Sequence, residues 1–396
     1  MLPIKNYLKK LLIDLRGRAL SFLFNLLKNR KLSIKSNRLL IVRLDAIGDY
    51  ILFRNFIHAL KEHPIWKSYK ITLLGNVGFK EIAENFDDNV ISDFIWIDTG
   101  ALSSPYFFQM LTLKLKLNHY DVIINPVHSR FEVLDQLIHY AGGKWIIGSN
   151  GDSIRYPNEA IKIASDKLYN QLIPSLSYHH FEFLRNKYFF DSLLSKISDI
   201  KLSISSSGNS PYLDVSYFNV LIFPGAGAAY RQWSPDNFSQ VMLLLKGVKL
   251  KREIRFYILG GRPDIEISKS ILANHQEATD LTGKTTLKGL VDIIASGDLL
   301  LSNETSAVHI AAATKTPTVC ISNGNHFGRF NPYPSEIGNK IVTLYPFEHF
   351  YTADEKQRID IIVKYKLMSD LNINLIEPLK VFHAILPLIE NDTMKA

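Results

Sequence analysis

Leu39-Leu40-Ile41-Val42-Arg43-Leu44-Asp45-Ala46-Ile47-Gly48-Asp49-Tyr50-Ile51-Leu52 is a short apolar run that breaks at an Asp-Ala-Ile-Gly-Asp turn. It restarts as a helical pattern continued by Phe56, Ile57 and Leu60. A buried strand feeding a helix through a tight turn is the opening of an α/β unit. The alternation continues outward, with apolar runs at Lys70 to Leu74, Phe94 to Asp98, Asp121 to Asn125 and Trp145 to Gly148 separated by helical segments. Residues 151–200 hold two further helical stretches, and Ser203 to Pro211 is a polar linker. Beyond it the pattern restarts at Asn219 to Phe223, Ile254 to Leu259, Leu299 to Ser302, Thr318 to Ser322 and Ile341 to Leu344. Two doubly wound parallel sheets in tandem are predicted, with ligands beyond the carboxyl ends of their strands. The expected organisation is a basic amphipathic helix over residues 1–38, a first sheet domain over 39–205 and a second over 206–350. A C-terminal helical segment over 351–396 is expected to pack back on the first domain.

The 396 residues are 46% hydrophobic, enough for two ordinary cores. A single cysteine, Cys320, excludes an intrachain disulfide and a Cys-rich zinc site, and within its apolar run it reads as a small buried hydrophobe. The net charge of +8 is concentrated in residues 1–38, where ten Lys or Arg face one acid, Asp14, so the remaining chain is close to neutral. That distribution argues against a nucleic-acid partner, which needs a broad basic footprint on the folded body. In the tail, Leu8, Leu11, Leu12, Leu15, Ala19, Phe22, Leu23 and Leu26 gather on one helical face. Its longest uncharged stretch, Ala19 to Leu27, is too short to span a bilayer, so the segment is expected to lie on an anionic membrane surface.

Chemistry is carried by the strand ends. Gly48 permits the first turn, and Asp49 then stands at a helix start, where the helix dipole favours a carboxylate available as a base; helix capping by Asp45 or Asp49 is the competing role. The second sheet's first strand ends in Phe223-Pro224-Gly225-Ala226-Gly227-Ala228-Ala229-Tyr230-Arg231-Gln232-Trp233-Ser234-Pro235. Small residues such as Gly225 and Ala226 let backbone amides approach a phosphate, and Arg231 adds charged hydrogen bonds. Leu259-Gly260-Gly261-Arg262-Pro263-Asp264-Ile265-Glu266 lies where nucleobase and ribose contacts are expected, with Gly260, Gly261, Asp264 and Glu266 as candidates. Glu304-Thr305-Ser306 opens a further helix that carries His309 one turn in. Arg329, in the loop after the next strand, is a candidate phosphate or base contact. No Asp-x-Asp motif occurs, so no metal and no cofactor are expected, and leaving-group charge falls to Arg231 and helix amides.

In their order along the chain these elements resemble glycosyltransferase family 9, the lipopolysaccharide heptosyltransferase family. The resemblance runs from Leu39 to about Pro334: Asp-Ala-Ile-Gly-Asp, then Pro-Gly-Ala with Arg-Gln-Trp-Ser-Pro, Leu-Gly-Gly, Leu-Thr-Gly-Lys-Thr-Thr-Leu, and Glu-Thr with His309-Ile310-Ala311-Ala312. It implies a GT-B fold, two facing Rossmann-like domains with the acceptor in the first and the nucleotide-sugar donor in the second, and inverting transfer without a metal. It also implies that Asp49 is the catalytic base and Arg231 the cation on the donor diphosphate, where lysine is usual. Glu304, Thr305 and Ser306 stand where Asp-Ser/Thr-Gly is usual, so Ser306 is a departure. The expected function is transfer of a sugar, with heptose the family's best-known case, from a nucleotide diphosphate to a lipid-linked envelope glycan, by a cytoplasmic protein peripheral on the inner membrane. The alternatives are a nucleotide-sugar epimerase and a non-catalytic nucleotide-sugar-binding membrane adaptor; the absence of a Gly-x-Ser-x-Gly elbow disfavours an α/β-hydrolase.

Overall fold

The computed structural model describes residues 16–30, 37–177, 179–196, 199–206, 208–338 and 340–393. Leu8, Leu11, Leu12 and Leu15 of the expected amphipathic stripe lie outside them. Two six-stranded sheets carry the fold. The first contains β1 (Arg38–Arg43), β2 (Lys70–Asn76), β3 (Asp93–Ile97), β4 (Val122–Asn125), β5 (Trp145–Ser149) and β6 (Gln171–Ile173), in the order β3-β2-β1-β4-β5-β6. The second contains β7 (Phe218–Phe223), β8 (Ile254–Ile258), β9 (Thr279–Asp280), β10 (Leu299–Asn303), β11 (Thr318–Ile321) and β12 (Ile341–Leu344), in the order β12-β11-β10-β7-β8-β9. Their pairings are parallel, and each sheet has the same winding. The chain reverses direction across the sheet between β1 and β4, and again between β7 and β10, which opens a crevice at each point.

Central strands are unbroken apolar runs because helices cover both faces. Leu39 and Ile41 of β1 pack with Ile71, Leu73 and Ile124 on one side, while Leu40 and Val42 pack with Leu74, Ile123 and Ile146 on the other. The first of these cores continues into the second domain through Ala307, Val308 and Ile310. There the helix Ile47–Ile51 after β1 meets the helix Ser306–Thr314 after β10. Both switch-point helices therefore face each other across the crevice.

Two strands, β6 and β9, escape the sequence pattern because each is an edge strand only three or two residues long. A larger difference concerns the C-terminus. The helix Pro378–Ile389 does not return to the first domain; it packs on the helix Pro235–Lys246 and on β11, placing Val381, Ile385 and Ile389 in the second core beside Phe238, Val241 and Leu245. The buried Trp233 indole donates to the Ile376 carbonyl at 2.9 Å and ties that segment down. Cys320 is buried in β11, as its apolar run implied, and burial pushes its thiol well above the usual range. No helix among the described residues is long and apolar enough to cross a membrane.

Candidate active site

A cavity of about 770 Å³ opens between the two sheets' carboxyl ends. The first domain lines it with Asp45, Gly48, Asp49 and Asn76; the second contributes Ala226, Arg231, Asp264, Glu304, Thr305, Ser306 and His309. Residues far apart in sequence meet here because each follows a strand at a switch point.

Asp49 is the third residue of the short helix after β1. Its Oδ2 accepts from the Ala46 amide at 3.3 Å, a weak cap, while Oδ1 is buried and has no hydrogen-bond partner. Arg43 and Arg329 stand 3.9 and 3.6 Å from Oδ1. Burial, reinforced by the neighbouring Asp45 carboxylate and only partly opposed by Arg329, pushes the Asp49 carboxyl up to about 7. A cavity-lining group with that proton affinity is matched to proton transfer near neutral pH.

Behind Asp49 lies a buried charge cluster that sequence reading did not single out. Glu182, at the start of the helix Glu182–Leu194, receives Arg43 at 3.3 Å, Arg185 at 3.3 Å and Arg329 at 3.0 Å. Three guanidinium groups hold its carboxyl far below the usual range against the cost of burial. Arg329 comes from the second domain, so this carboxylate pins the domains together beside Asp49. The structure thus sets Arg329, the candidate phosphate or base contact, against Asp49 and Glu182. The signal was present in the sequence as Glu182 and Arg185 within the aromatic stretch Phe181 to Phe190, where unpaired charges would be costly.

In the second domain Arg231 donates to the Glu304 carbonyl at 2.9 Å and lies 3.6 Å from its carboxylate. Its Nε is buried without a partner. Glu304 is itself buried and bonded to the Ser322 hydroxyl, and burial raises its proton affinity although Arg231 opposes this. Asn303 fixes the loop carrying Gly225 and Arg231 by donating to the Pro224 carbonyl at 2.7 Å and accepting from the Trp233 amide at 3.2 Å. Thr305 caps the helix Ser306–Thr314 by accepting from the Ala307 amide, and Thr305 and Ser306 line the cavity at the helix start.

His309 is buried, and burial pushes its imidazole down to about 4, so it is neutral. Its Nδ1 meets the Tyr333 hydroxyl at 2.5 Å. A Cβ on Gly48 would sit 2.5 Å from the His309 ring, so glycine is what permits the two helices to close. Asp264 accepts from the Gly261 amide at 2.8 Å and lies under Gly225 and Gly260, where a Cβ would collide with its carboxylate. Glu266 instead points to solvent and pairs with Lys269, away from the cavity. Of the two acids, Asp264 alone lines the site.

A second, smaller cavity of about 210 Å³ adjoins the first through His326. Arg155, Arg185, Arg329 and Lys366 line it together with Ser129 and Asp152.

The sequence pattern of glycosyltransferase family 9 (heptosyltransferase) matches residues 190–357. A lipopolysaccharide core heptosyltransferase, OpsX of Haemophilus influenzae, is 28% identical over 135 residues, a match that covers 34% of this chain and 38% of that relative's length. Among solved structures, a family 9 glycosyl transferase from Veillonella parvula superposes with a TM-score of 0.67 at 16% identity, covering 91% of this chain and all of that one. The ADP-heptose lps heptosyltransferase II of E. coli gives a TM-score of 0.62 at 15% identity, covering 89% of this chain and 99% of that one. With the tandem switch-point sheets described above, these likenesses identify the architecture as GT-B. Residues 190–357 thus match the glycosyltransferase family 9 (heptosyltransferase) pattern, within a fold of two facing Rossmann-like domains.

Proposed function

We propose that this chain is an inverting, metal-independent glycosyltransferase of lipopolysaccharide biosynthesis that transfers heptose from an ADP-linked donor to a lipid-linked core acceptor. The observation that carries the proposal is that Asp49, with its raised proton affinity, lines one cavity together with Arg231 and the Glu304–Ser306 helix start. Asp49 takes the proton of an acceptor hydroxyl. The acceptor oxygen forms its bond to the anomeric carbon from the side opposite the diphosphate, and the nucleotide leaves with the electron pair, so the anomeric configuration inverts. Arg231 and the first amides of the helix Ser306–Thr314 meet the leaving-group charge in place of a metal. Gly225 and Ala226 bring backbone close to the diphosphate, and Asp264 faces the ribose. The basic cavity beside Asp49 suits an acceptor with a carboxylate or phosphate near its reacting hydroxyl. Donor supply and a lipid-linked acceptor would meet at the cytoplasmic face of the inner membrane, with the basic N-terminus as the contact.

Two results test this chemistry. Arg231→Ala should weaken donor binding by about 1.5–3 kcal/mol, the worth of a hydrogen bond to a charged group. The loss, read by calorimetry, should be larger for the nucleotide diphosphate than for the free nucleoside; equal losses would remove Arg231 from the phosphates. With ADP-heptose and a core lipid acceptor, product should form at an undiminished rate in excess EDTA. A strict requirement for a divalent ion would overturn the leaving-group assignment, and donor binding without turnover on any core acceptor would leave a non-catalytic binder.

A further inference from the structure

The N-terminal helix through residues 16–27 lies on the first domain, and the residue that fastens it is Phe24. Its ring is 7% exposed and meets Phe108 and Tyr140 edge-on at 6.2 and 5.8 Å. Ser21 donates to Gln109, and Lys116 donates to the Lys28 carbonyl, so the helix runs parallel to the helix Pro105–Leu117. Phe24 does not belong to the apolar stripe visible in the sequence. At about 100° per residue, Phe22, Leu26 and Ala19 fall on the opposite side of the helix from Phe24, with Leu23 on their flank. Phe22 is accordingly 69% exposed, Leu23 47% and Leu26 46%. The helix therefore has two apolar faces, one spent on the protein and one turned away from it.

We propose that this outward face, Ala19, Phe22, Leu23 and Leu26, is a membrane-docking surface that seats the first domain on an anionic bilayer. The inference deepens the reading of a lipid-linked acceptor and rests on it. Charge selects the occupant: Arg16, Arg18 and Arg30 flank the stripe, and residues 16–38 contain seven Lys or Arg and no acid. Such a face complements anionic headgroups, whereas a second copy would bring two all-basic helices together. Geometry adds a direction. The helix Pro105–Leu117 starts at the end of the sheet to which β3 runs, the same end at which β1 delivers Asp49. Because the N-terminal helix runs parallel to it, the docking face extends toward the cleft end of the domain, where a lipid-linked acceptor would enter.

The test uses the full chain and its Phe22→Glu/Leu26→Glu variant, with Leu23→Glu as a second variant. All three positions are exposed, so melting temperature and donor binding should stay unchanged. Wild type should sediment with vesicles of phosphatidylethanolamine and phosphatidylglycerol, more weakly with pure phosphatidylcholine, and less in high salt. The double variant should lose vesicle partitioning by roughly 10-fold or more, the consequence of placing two carboxylates in the interface. Wild-type binding that the variants leave intact would overturn this face while sparing the membrane reading. Failure of wild type to bind any vesicle would overturn both. A dimer of the wild type that the double variant splits, with no vesicle binding, would assign the face to a second copy and also refute the proposal.

Discussion

Asp49→Asn is expected to lower transfer by about 10²–10⁴ while donor affinity stays within a small factor, because the substitution removes the proton acceptor and leaves the shape of the cavity intact. The pH dependence should carry the same signature. Asp49 acts only when ionised, and its proton affinity is raised to about 7, so kcat/KM of the wild type should climb as pH rises through that value. Stability should move the opposite way. A carboxyl whose folded value lies above its unfolded value of 3.8 keeps a proton that the unfolded chain has lost, so its contribution to stability declines as pH rises between the two values. The asparagine variant escapes that cost, and above neutral pH its Tm should exceed the wild type's. Full transfer by Asp49→Asn would reduce the residue to the weak cap on Ala46.

Glu182→Gln should have the largest effect on stability. One buried carboxylate compensates Arg43, Arg185 and Arg329, and breaking a buried ion pair by removing one partner costs about 3–5 kcal/mol. Thermal unfolding at neutral pH should shift down on the order of 10 °C. The sign of the linkage follows from its lowered proton affinity. The stabilisation is full above the ordinary carboxylate value of about 4.5 and is lost as pH falls below it toward the folded value, so the gap between wild type and variant should narrow in acid. A further readout separates positioning from simple folding. The Glu182 charge is one of those that raise Asp49, so in the variant the acid limb of kcat/KM should move to lower pH. An unchanged Tm would show that the three arginines find other partners, and an unmoved acid limb would detach Glu182 from the base.

Much of the architecture follows from local pattern alone. The two five-strand alternations, the glycines of the turns at Gly48, Gly225 and Gly260, and the sheet-to-helix junctions at Asp49, Arg231 and Glu304 are dictated by residues close together in the chain, since burial period and turn chemistry are local properties. Edge strands of two or three residues carry too little pattern to announce themselves, and β6 and β9 were correspondingly invisible. Other features needed the folded chain. Glu182 lies far from Asp49 in sequence and reaches it because β1 and the helix Glu182–Leu194 meet at the domain seam; the role of Arg329 likewise depends on the second domain's approach. Glu266 and Asp264 are two positions apart on one turn, yet one faces solvent and the other supports the glycine loop. The N-terminal stripe is the clearest division. Its apolar period was written in the residues, but only the docking of Phe24 decided that the stripe faces outward, because which side of a two-faced helix is buried depends on the partner surface it meets.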